Sequence, residues 1–318
     1  MRIAVLDDYQ DVARNLADWA RIPGAELTTF QDHLSNQDAL AKRLAPFDVL
    51  MVIRERTPLK GALIDRLPNL KLIITAARRN ASIDVEACAR RGIAVCGTAA
   101  SGAPVVEVAW AFILNHMRHV AREDRALRDG KWQTKLGRSL AGATLGIVGL
   151  GKLGVRMAQL GLAFGMVPIC WSPNLTETRA TAAGAKLVSK DELFATSDVV
   201  TLHLVLGPTT RHVVGSEELT RMKSSALLVN TSRGPLVDEQ ALVQALRTGS
   251  IGGAALDVFD VEPLPADHPF ISLPNTQLTP HLGYVTEQNY RAYFADAVED
   301  IEAWLAGRPI RVVEPVDS

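Results

Sequence analysis

Cysteine is scarce in this chain, with three among 318 residues: Cys88, Cys96 and Cys170. An odd, widely spaced set is no disulfide framework and shows no metal-ligand spacing; it suits free buried thiols in a reducing compartment. Charge of one sign is equally scarce. Lys plus Arg number 34 against 35 Asp plus Glu, a net charge of -1. No long basic block interrupts the mixture, so neither nucleic acid nor an anionic membrane finds an electrostatic footing. Apolar runs are cut by Gly, Pro or a charge before they reach the ~20 residues of a membrane-spanning helix. Internal repeats, low-complexity tracts and charge runs are missing too. The N-terminus, MRIAVLDDYQ, goes straight into a strand pattern with early acid, unlike a secretory leader. The expectation is a cytoplasmic globular protein, 47% hydrophobic and 22% charged, with two domains favoured by its length.

What is present centres on ATLGIVGLGKLGVRMAQLGLAFG, from Ala143 to Gly165. Thr144–Val148 is a short apolar run of the buried parallel-strand kind. Gly149, Gly151 and Gly154 follow as G-x-G-x-x-G, and Val155, Ala158, Gln159 and Leu162 recur at helical spacing. Strand, glycine turn and helix together make a dinucleotide-binding site. The first glycine makes the turn, the second lets a pyrophosphate approach the backbone, and the third lets helix and strand pack closely. Taken alone, the pattern also fits an ordinary tight turn between strand and helix.

Upstream, Ile3–Leu6, Asp48–Ile53, Leu70–Thr75 and Ile93–Cys96 read as strands, separated by helix-like stretches such as Gln37–Leu44 and Val85–Arg91. Gly24 and Gly92 read as helix stops. This alternation predicts a parallel sheet with helices on both faces. Residues Ser101–Arg122 predict one long helix, capped by Ser101 with Pro104 in its first turn. Beyond the glycine turn, strands are expected at Val167–Trp171, Asp198–Leu204, Ala226–Asn230, Ala254–Val258 and Thr276–Thr279. Pro168 sits in conflict with a mid-sheet position. Glu287–Ala306 returns to a helical pattern and is expected to cross back onto the first domain. The resulting organisation is a discontinuous substrate domain, 1–100 plus 285–318, around a dinucleotide-binding domain, 101–284.

Ligands of open α/β sheets bind beyond the carboxyl ends of strands, which turns strand ends into a filter. It returns Arg54, the loop Thr75–Arg79, the glycine turn, Thr231-Ser232-Arg233-Gly234, Asp257 with Asp260 and Glu262, and His281. An arginine, a carboxylate and a histidine beside a nicotinamide would make a carbonyl-reduction centre. Each also has a plainer reading. Arg233 fits a surface loop, Glu262 a turn cap and His281 a turn histidine, while His203 and His268 compete as the acid/base.

The runs NTSRGPLVDEQAL, AALDVFDVEPLP and LTPHLG, with GLGKLG upstream, resemble the NAD-dependent D-isomer-specific 2-hydroxyacid dehydrogenases over nearly the whole chain. The resemblance implies two flavodoxin- or Rossmann-like doubly wound α/β domains with a cleft between them, assembled as a homodimer. It implies Arg233, Glu262 and His281 as the catalytic set, acting on a small D-2-hydroxy or 2-oxo acid. Arginine's rigid fork suits the substrate carboxylate, the histidine exchanges a proton with the carbonyl oxygen, and the glutamate orients the imidazole and favours its charged form. The implied cofactor contacts are Gly149, Gly151, Lys152, Leu153, Gly154, Ser172, His203, Thr210, Thr231, Arg233, Asp257, His281 and Gly283. The implied substrate contacts are Arg54, Ala76, Ala77, Arg233 and His281; no metal is expected. Formate dehydrogenases of the same superfamily carry glutamine where Glu262 stands. A rival reading from another class is an NAD(H)-sensing binding protein of this fold, since family corepressors keep the same three residues.

Three departures from the family pattern stand out. The second nucleotide strand commonly ends in aspartate, which holds the adenosine ribose; here Ser172 takes that place. Losing the carboxylate removes a repulsion against a 2′-phosphate and leaves NADP open. The nearest downstream arginine, Arg179, has Glu177 close by, so no phosphate clamp is evident and NAD is the expected cofactor. The substrate loop usually carries glycines, where this chain has Ala76 and Ala77. Finally, the chain ends soon after its last helical stretch, and no C-terminal regulatory domain is expected.

Overall fold

The computed structural model describes residues 1–78 and 80–315. They fall into two compact units, Met1–Ser101 with Val285–Ser318, and Gly102–Tyr284. The first unit alternates β1 (Arg2–Val5), α1 (Ala13–Leu16), β2 (Glu26–Thr29), α2 (Gln37–Leu44), β3 (Val49–Val52), α3 (Gly61–Ile64), β4 (Leu72–Thr75), α4 (Val85–Arg90) and β5 (Ala94–Gly97). All its strands pair in parallel, in the order β2-β1-β3-β4-β5. This is a flavodoxin-like order, whose direction reverses between β1 and β3.

The second unit opens with α5 (Ala103–Arg118) and α6 (Val120–Arg128). Then come β6 (Thr144–Val148), α7 (Lys152–Ala163), β7 (Val167–Trp171), α8 (Glu177–Ala182), β8 (Lys186–Leu187), α9 (Lys190–Thr196) and β9 (Val199–Leu202). It closes with α10 (Ser216–Arg221), β10 (Leu227–Asn230), α11 (Glu239–Thr248), β11 (Gly253–Leu256), α12 (Pro269–Ser272) and β12 (Thr276–Leu278). The order is β12-β11-β10-β9-β6-β7-β8, again all parallel. Both sheets are therefore doubly wound, and in the second the reversal lies between β6 and β9.

The apolar runs are continuous because each central strand is covered on both faces. Val148, Val200, Leu202, Leu228 and Leu256 enter one core, while Leu145, Ile147, Val199, Leu227 and Val229 enter the other. Neighbours along a strand thus serve opposite cores, at about 1.5–3 kcal/mol for each fully buried aliphatic side chain.

Two local expectations are revised. The helix predicted over Ser101–Arg122 is broken at His119, whose φ of 57° is left-handed. Asn115 builds the break: its carbonyl accepts the His119 N–H at 2.7 Å, and its side-chain oxygen accepts the Ala121 N–H at 2.7 Å. Ser101 is not the cap either; Gly102 holds that place, and the Ser101 N–H donates to Asn289 Oδ1 at 2.9 Å. The Pro168 conflict resolves at an edge. Val167 donates its N–H to Ala143 on the β6 side, so the next residue faces β8, whose pairing begins only at Ile169. No ladder bond is lost there.

In the first unit α13 (Glu287–Leu305) buries Tyr290, Tyr293, Phe294, Ala297, Val298 and Ile301. That spacing is one helical face. Thr286 caps the helix by accepting the Asn289 N–H. None of the described helices is long and apolar enough to cross a membrane.

Candidate active site

The glycine turn after β6 lies at the topological switch point of the second unit. Gly149 has a φ of +99°, and a Cβ there would meet the His203 carbonyl at 2.7 Å. Gly154 packs against the turn so closely that a Cβ would meet the Gly149 carbonyl at 2.1 Å. At Gly151 a Cβ meets nothing within 4 Å. The first and third glycines thus serve backbone packing, and the second faces open space where a ligand can approach. No side chain caps α7, so the N–H groups of Lys152, Leu153 and Gly154 start the helix with its positive dipole end uncovered.

Two buried polar atoms flank this cradle without a protein partner: His203 Nδ1 beyond β9 and Thr231 Oγ1 beyond β10. His203 Nε2 is engaged by Thr201 Oγ1 at 2.9 Å, and burial pushes its pKa down to about 4, so the ring is neutral. Thr210 acts within its own loop, its hydroxyl accepting the Gly207 N–H at 2.8 Å and donating to the Val205 carbonyl at 2.7 Å. Ser172 follows β7 directly, where its carbonyl accepts the Leu175 N–H. An open pyrophosphate cradle bordered by orphaned donors and acceptors fits a dinucleotide.

The candidate catalytic side chains stand at the ends of β10, β11 and β12. Beyond β10, Asn230 pins the turn by accepting the Ser232 N–H at 3.1 Å and donating to the Arg233 carbonyl at 2.8 Å. Ser232 Oγ ties the same turn to Leu202 at the end of β9, at 2.7 Å. Arg233 Nη1 bonds the Ser232 carbonyl at 2.7 Å. Gly234 then lies against the chain beyond β11, where a Cβ would meet the Phe259 carbonyl carbon at 2.2 Å. Phe259 in turn donates its N–H to Glu262 Oε1 at 3.0 Å, and Glu262 Oε2 meets His281 Nδ1 at 2.6 Å. A backbone contact and two hydrogen bonds thereby link the arginine turn to the histidine. An ionised carboxylate only accepts, so Nδ1 carries the hydrogen.

Asp257 anchors the histidine turn. Its carboxylate is fully buried and accepts the Thr279 hydroxyl at 2.6 Å, the Leu282 N–H at 2.6 Å and the Gly283 N–H at 2.8 Å. Burial pushes this carboxyl above its usual range, and those three donors pull against the rise. His281 itself has a left-handed φ of 55°, and its N–H donates to the Thr279 carbonyl. Its ring meets Tyr284 edge-on with centroids 5.4 Å apart. His268, the competing histidine, is paired with Glu239 at 3.0 Å and caps α12 through the Phe270 N–H.

In the first unit the Ala76 N–H is spent in the sheet, donating to the Val52 carbonyl. Ala77, at a left-handed φ of 73°, donates its N–H to Thr98 Oγ1 at 3.0 Å. Both amides are thus engaged within the protein. Arg79 of the same loop lies outside the described residues. Arg54, with φ of 58°, has its carbonyl held by Asn80 at 2.6 Å, and its Nε lies 3.7 Å from Glu55. Sequence reasoning missed a polar cluster beyond β1: Asp7, buried, accepts the Thr57 hydroxyl at 2.6 Å and lies 3.0 Å from His33 Nδ1. The strand-end filter, applied to β1, would have returned Asp7. The three cysteines are buried and unpaired. Among the described residues, no group of three or more His, Cys, Asp or Glu could hold a metal ion.

The D-isomer specific 2-hydroxyacid dehydrogenase NAD-binding domain matches residues 110–283. Hydroxypyruvate reductase of Thermotoga maritima is 38% identical over 282 residues, 87% of this chain and 90% of that protein. Phosphoglycerate oxidoreductase from Vibrio cholerae O395 superposes with a TM-score of 0.92 at 41% identity, covering 96% of this chain and 99% of that one. D-lactate dehydrogenase from Aquifex aeolicus, solved with NAD and lactic acid, superposes with a TM-score of 0.78 at 27% identity, covering 96% of each chain. The match is to an NAD-binding domain, and the uncapped glycine cradle suits the pyrophosphate of such a dinucleotide. With the match running from α5 through the histidine turn, and full-length likeness on either side of it, the chain belongs to the D-isomer specific 2-hydroxyacid dehydrogenase family.

Proposed function

We propose that this protein is an oxidoreductase interconverting a small D-2-hydroxy acid and its 2-oxo acid, with Arg233, Glu262 and His281 as its catalytic residues. The observation that carries the reading is the 2.6 Å contact between His281 Nδ1 and Glu262 Oε2. With Nδ1 held as a donor, Nε2 is the nitrogen that gives a proton to the substrate's C2 oxygen in reduction and takes it back in oxidation. Arg233 holds the substrate carboxylate through its planar fork and polarises the adjoining carbonyl. Bound nicotinamide supplies or accepts the hydride. Glu262 fixes the imidazole tautomer and stabilises the positive charge that the ring carries before it gives up its proton.

Arg54 supplies a second anion contact in this proposal. Thr231 and His203 bond the dinucleotide through their orphaned atoms, while Lys152, Leu153 and Gly154 meet its pyrophosphate. A homodimer is supported by the apolar arm that follows α6, where Trp132 is 77% and Leu136 92% exposed. A cytoplasmic setting is supported by the unpaired thiols.

The test is a spectrophotometric screen of NADH and NADPH oxidation with glyoxylate, hydroxypyruvate, pyruvate and larger 2-oxo acids. One or more should turn over, and His281→Ala should lower kcat by at least ~100-fold, as loss of a general acid does, while NADH still binds. Tight NADH binding without turnover of any oxo acid would replace this reading with a nucleotide sensor.

A further inference from the structure

We propose that the adenosine end of this dinucleotide site is built for a 2′-phosphate, with Arg179 and Lys152 as its specificity-determining cations, so that NADP(H) binds more tightly than NAD(H). The inference rests on the dinucleotide site itself and not on the identity of the oxo acid.

Beside the glycine turn lies an open groove of about 510 Å³. Leu150 and Gly151 line it from the turn, Lys152 and Val155 from α7, and Arg179, Ala182 and Ala183 from α8 and the residue after it. Its lining holds two cations and no acid. Neither cation is used by the protein: among the described residues no ion pair or side-chain hydrogen bond engages Lys152 or Arg179. The bond that Arg179 does make is from its backbone N–H to Thr176 Oγ1, which caps α8. Arg179 is thereby placed in the first turn of α8.

The anionic neighbour that argued against a phosphate clamp is Glu177. It also lies in the first turn of α8, two residues before Arg179. Residues two apart on a helix point to nearly opposite sides, so Glu177 does not neutralise the guanidinium. The remaining position that decides the matter is the one directly after β7. A carboxylate there would hold the ribose hydroxyls and repel a phosphate; Ser172 does neither, and its hydroxyl is a donor for a phosphate oxygen. Gly151 belongs both to this groove and to the pyrophosphate cradle. One end of the nucleotide therefore fixes the other within reach of Arg179. A dianion meeting an arginine fork and a lysine, with no carboxylate to oppose it, gains charge-assisted bonds that a ribose hydroxyl cannot make.

The experiment is calorimetric titration of the full chain, at low salt, with 2′,5′-ADP and with 5′-AMP, followed by fluorescence titration with NADPH and NADH. These pairs differ only in the 2′-phosphate, and no turnover is needed. Expected is at least ~10-fold tighter binding of 2′,5′-ADP than of 5′-AMP, the size of one charge-assisted bond. Arg179→Ala should reduce that ratio about tenfold, and Ser172→Asp should invert it by restoring the repulsion. Raising the salt should erode the ratio as well. Binding of 5′-AMP as tight as that of 2′,5′-ADP, or a ratio untouched by Arg179→Ala, overturns the inference and leaves the dinucleotide site standing. Failure of all four ligands to bind overturns the cofactor site on which it rests.

Discussion

Replacing Glu262 with glutamine keeps the side chain's size and removes one acceptor. Among the contacts of the native carboxylate are the Phe259 N–H on Oε1 at 3.0 Å and His281 Nδ1 on Oε2 at 2.6 Å. An amide has one acceptor oxygen and an NH2 group. Turned one way, the amide faces its NH2 toward Phe259 and strands that backbone donor. Turned the other way, it donates to Nδ1 and forces the ring hydrogen onto Nε2, the nitrogen that must accept a proton in oxidation. Either way one hydrogen bond to a charged group is lost, at about 1.5–3 kcal/mol. At 1.36 kcal/mol per decade, Glu262→Gln should lower kcat/KM by roughly 10- to 150-fold. The assay is steady-state oxidation of NADH with the best oxo acid, alongside thermal unfolding. The fold should survive, because the Glu262 side chain is 22% exposed and leaves no cavity when replaced isosterically. Turnover equal to the native enzyme would refute the reasoning and reduce Glu262 to a cap for the Phe259 amide.

Two further outcomes follow from other parts of the site and fold. Arg233→Lys keeps the charge and loses the planar fork, so KM for the oxo acid should rise about 10- to 100-fold, with kcat changing less; an unchanged KM would remove Arg233 from substrate recognition. His116 titrates far below its usual range, at about 4, because burial and then the nearby charges of Arg138 and His119 oppose its protonation. The unfolded chain takes up that proton near pH 6.5 and the native state refuses it until about pH 4, so stability is lost as pH falls through this window. His116→Gln, which does not titrate, should therefore gain about 3 kcal/mol on the native protein between pH 7.5 and pH 4 in denaturant unfolding. A gap that stays constant with pH would refute the buried neutral imidazole.

How much of this was legible before folding depends on where a residue sits in its sheet. Central strands such as β6 and β9 announce themselves because both faces are buried and no polar residue need alternate. β2 reads ELTT, with a first residue that is exposed and the rest half-buried, and β8 is two residues long at the other sheet's edge. Edges carry too little apolar signal to be read. The break at His119 was hidden for another reason: it is made by the Asn115 side chain, and the periodicity of the helix runs across it without a Gly or Pro.

The site divides in the same way. Backbone requirements are local, so the order Gly149, Gly151, Gly154 between a strand and a helix pointed to a dinucleotide turn. Strand ends returned Arg233, Glu262 and His281 among other candidates, and the joint order of the motifs singled them out. Contacts between distant segments are not local. That Glu262 grips His281 across nineteen residues, that Asp257 is occupied by the histidine turn, and that the Ala76 and Ala77 amides are engaged elsewhere required the folded chain. The orientation of Arg179 against Glu177 is the sharpest case. As neighbours in sequence they look like a cancelling pair; on a helix, with about 100° between successive residues, they face apart.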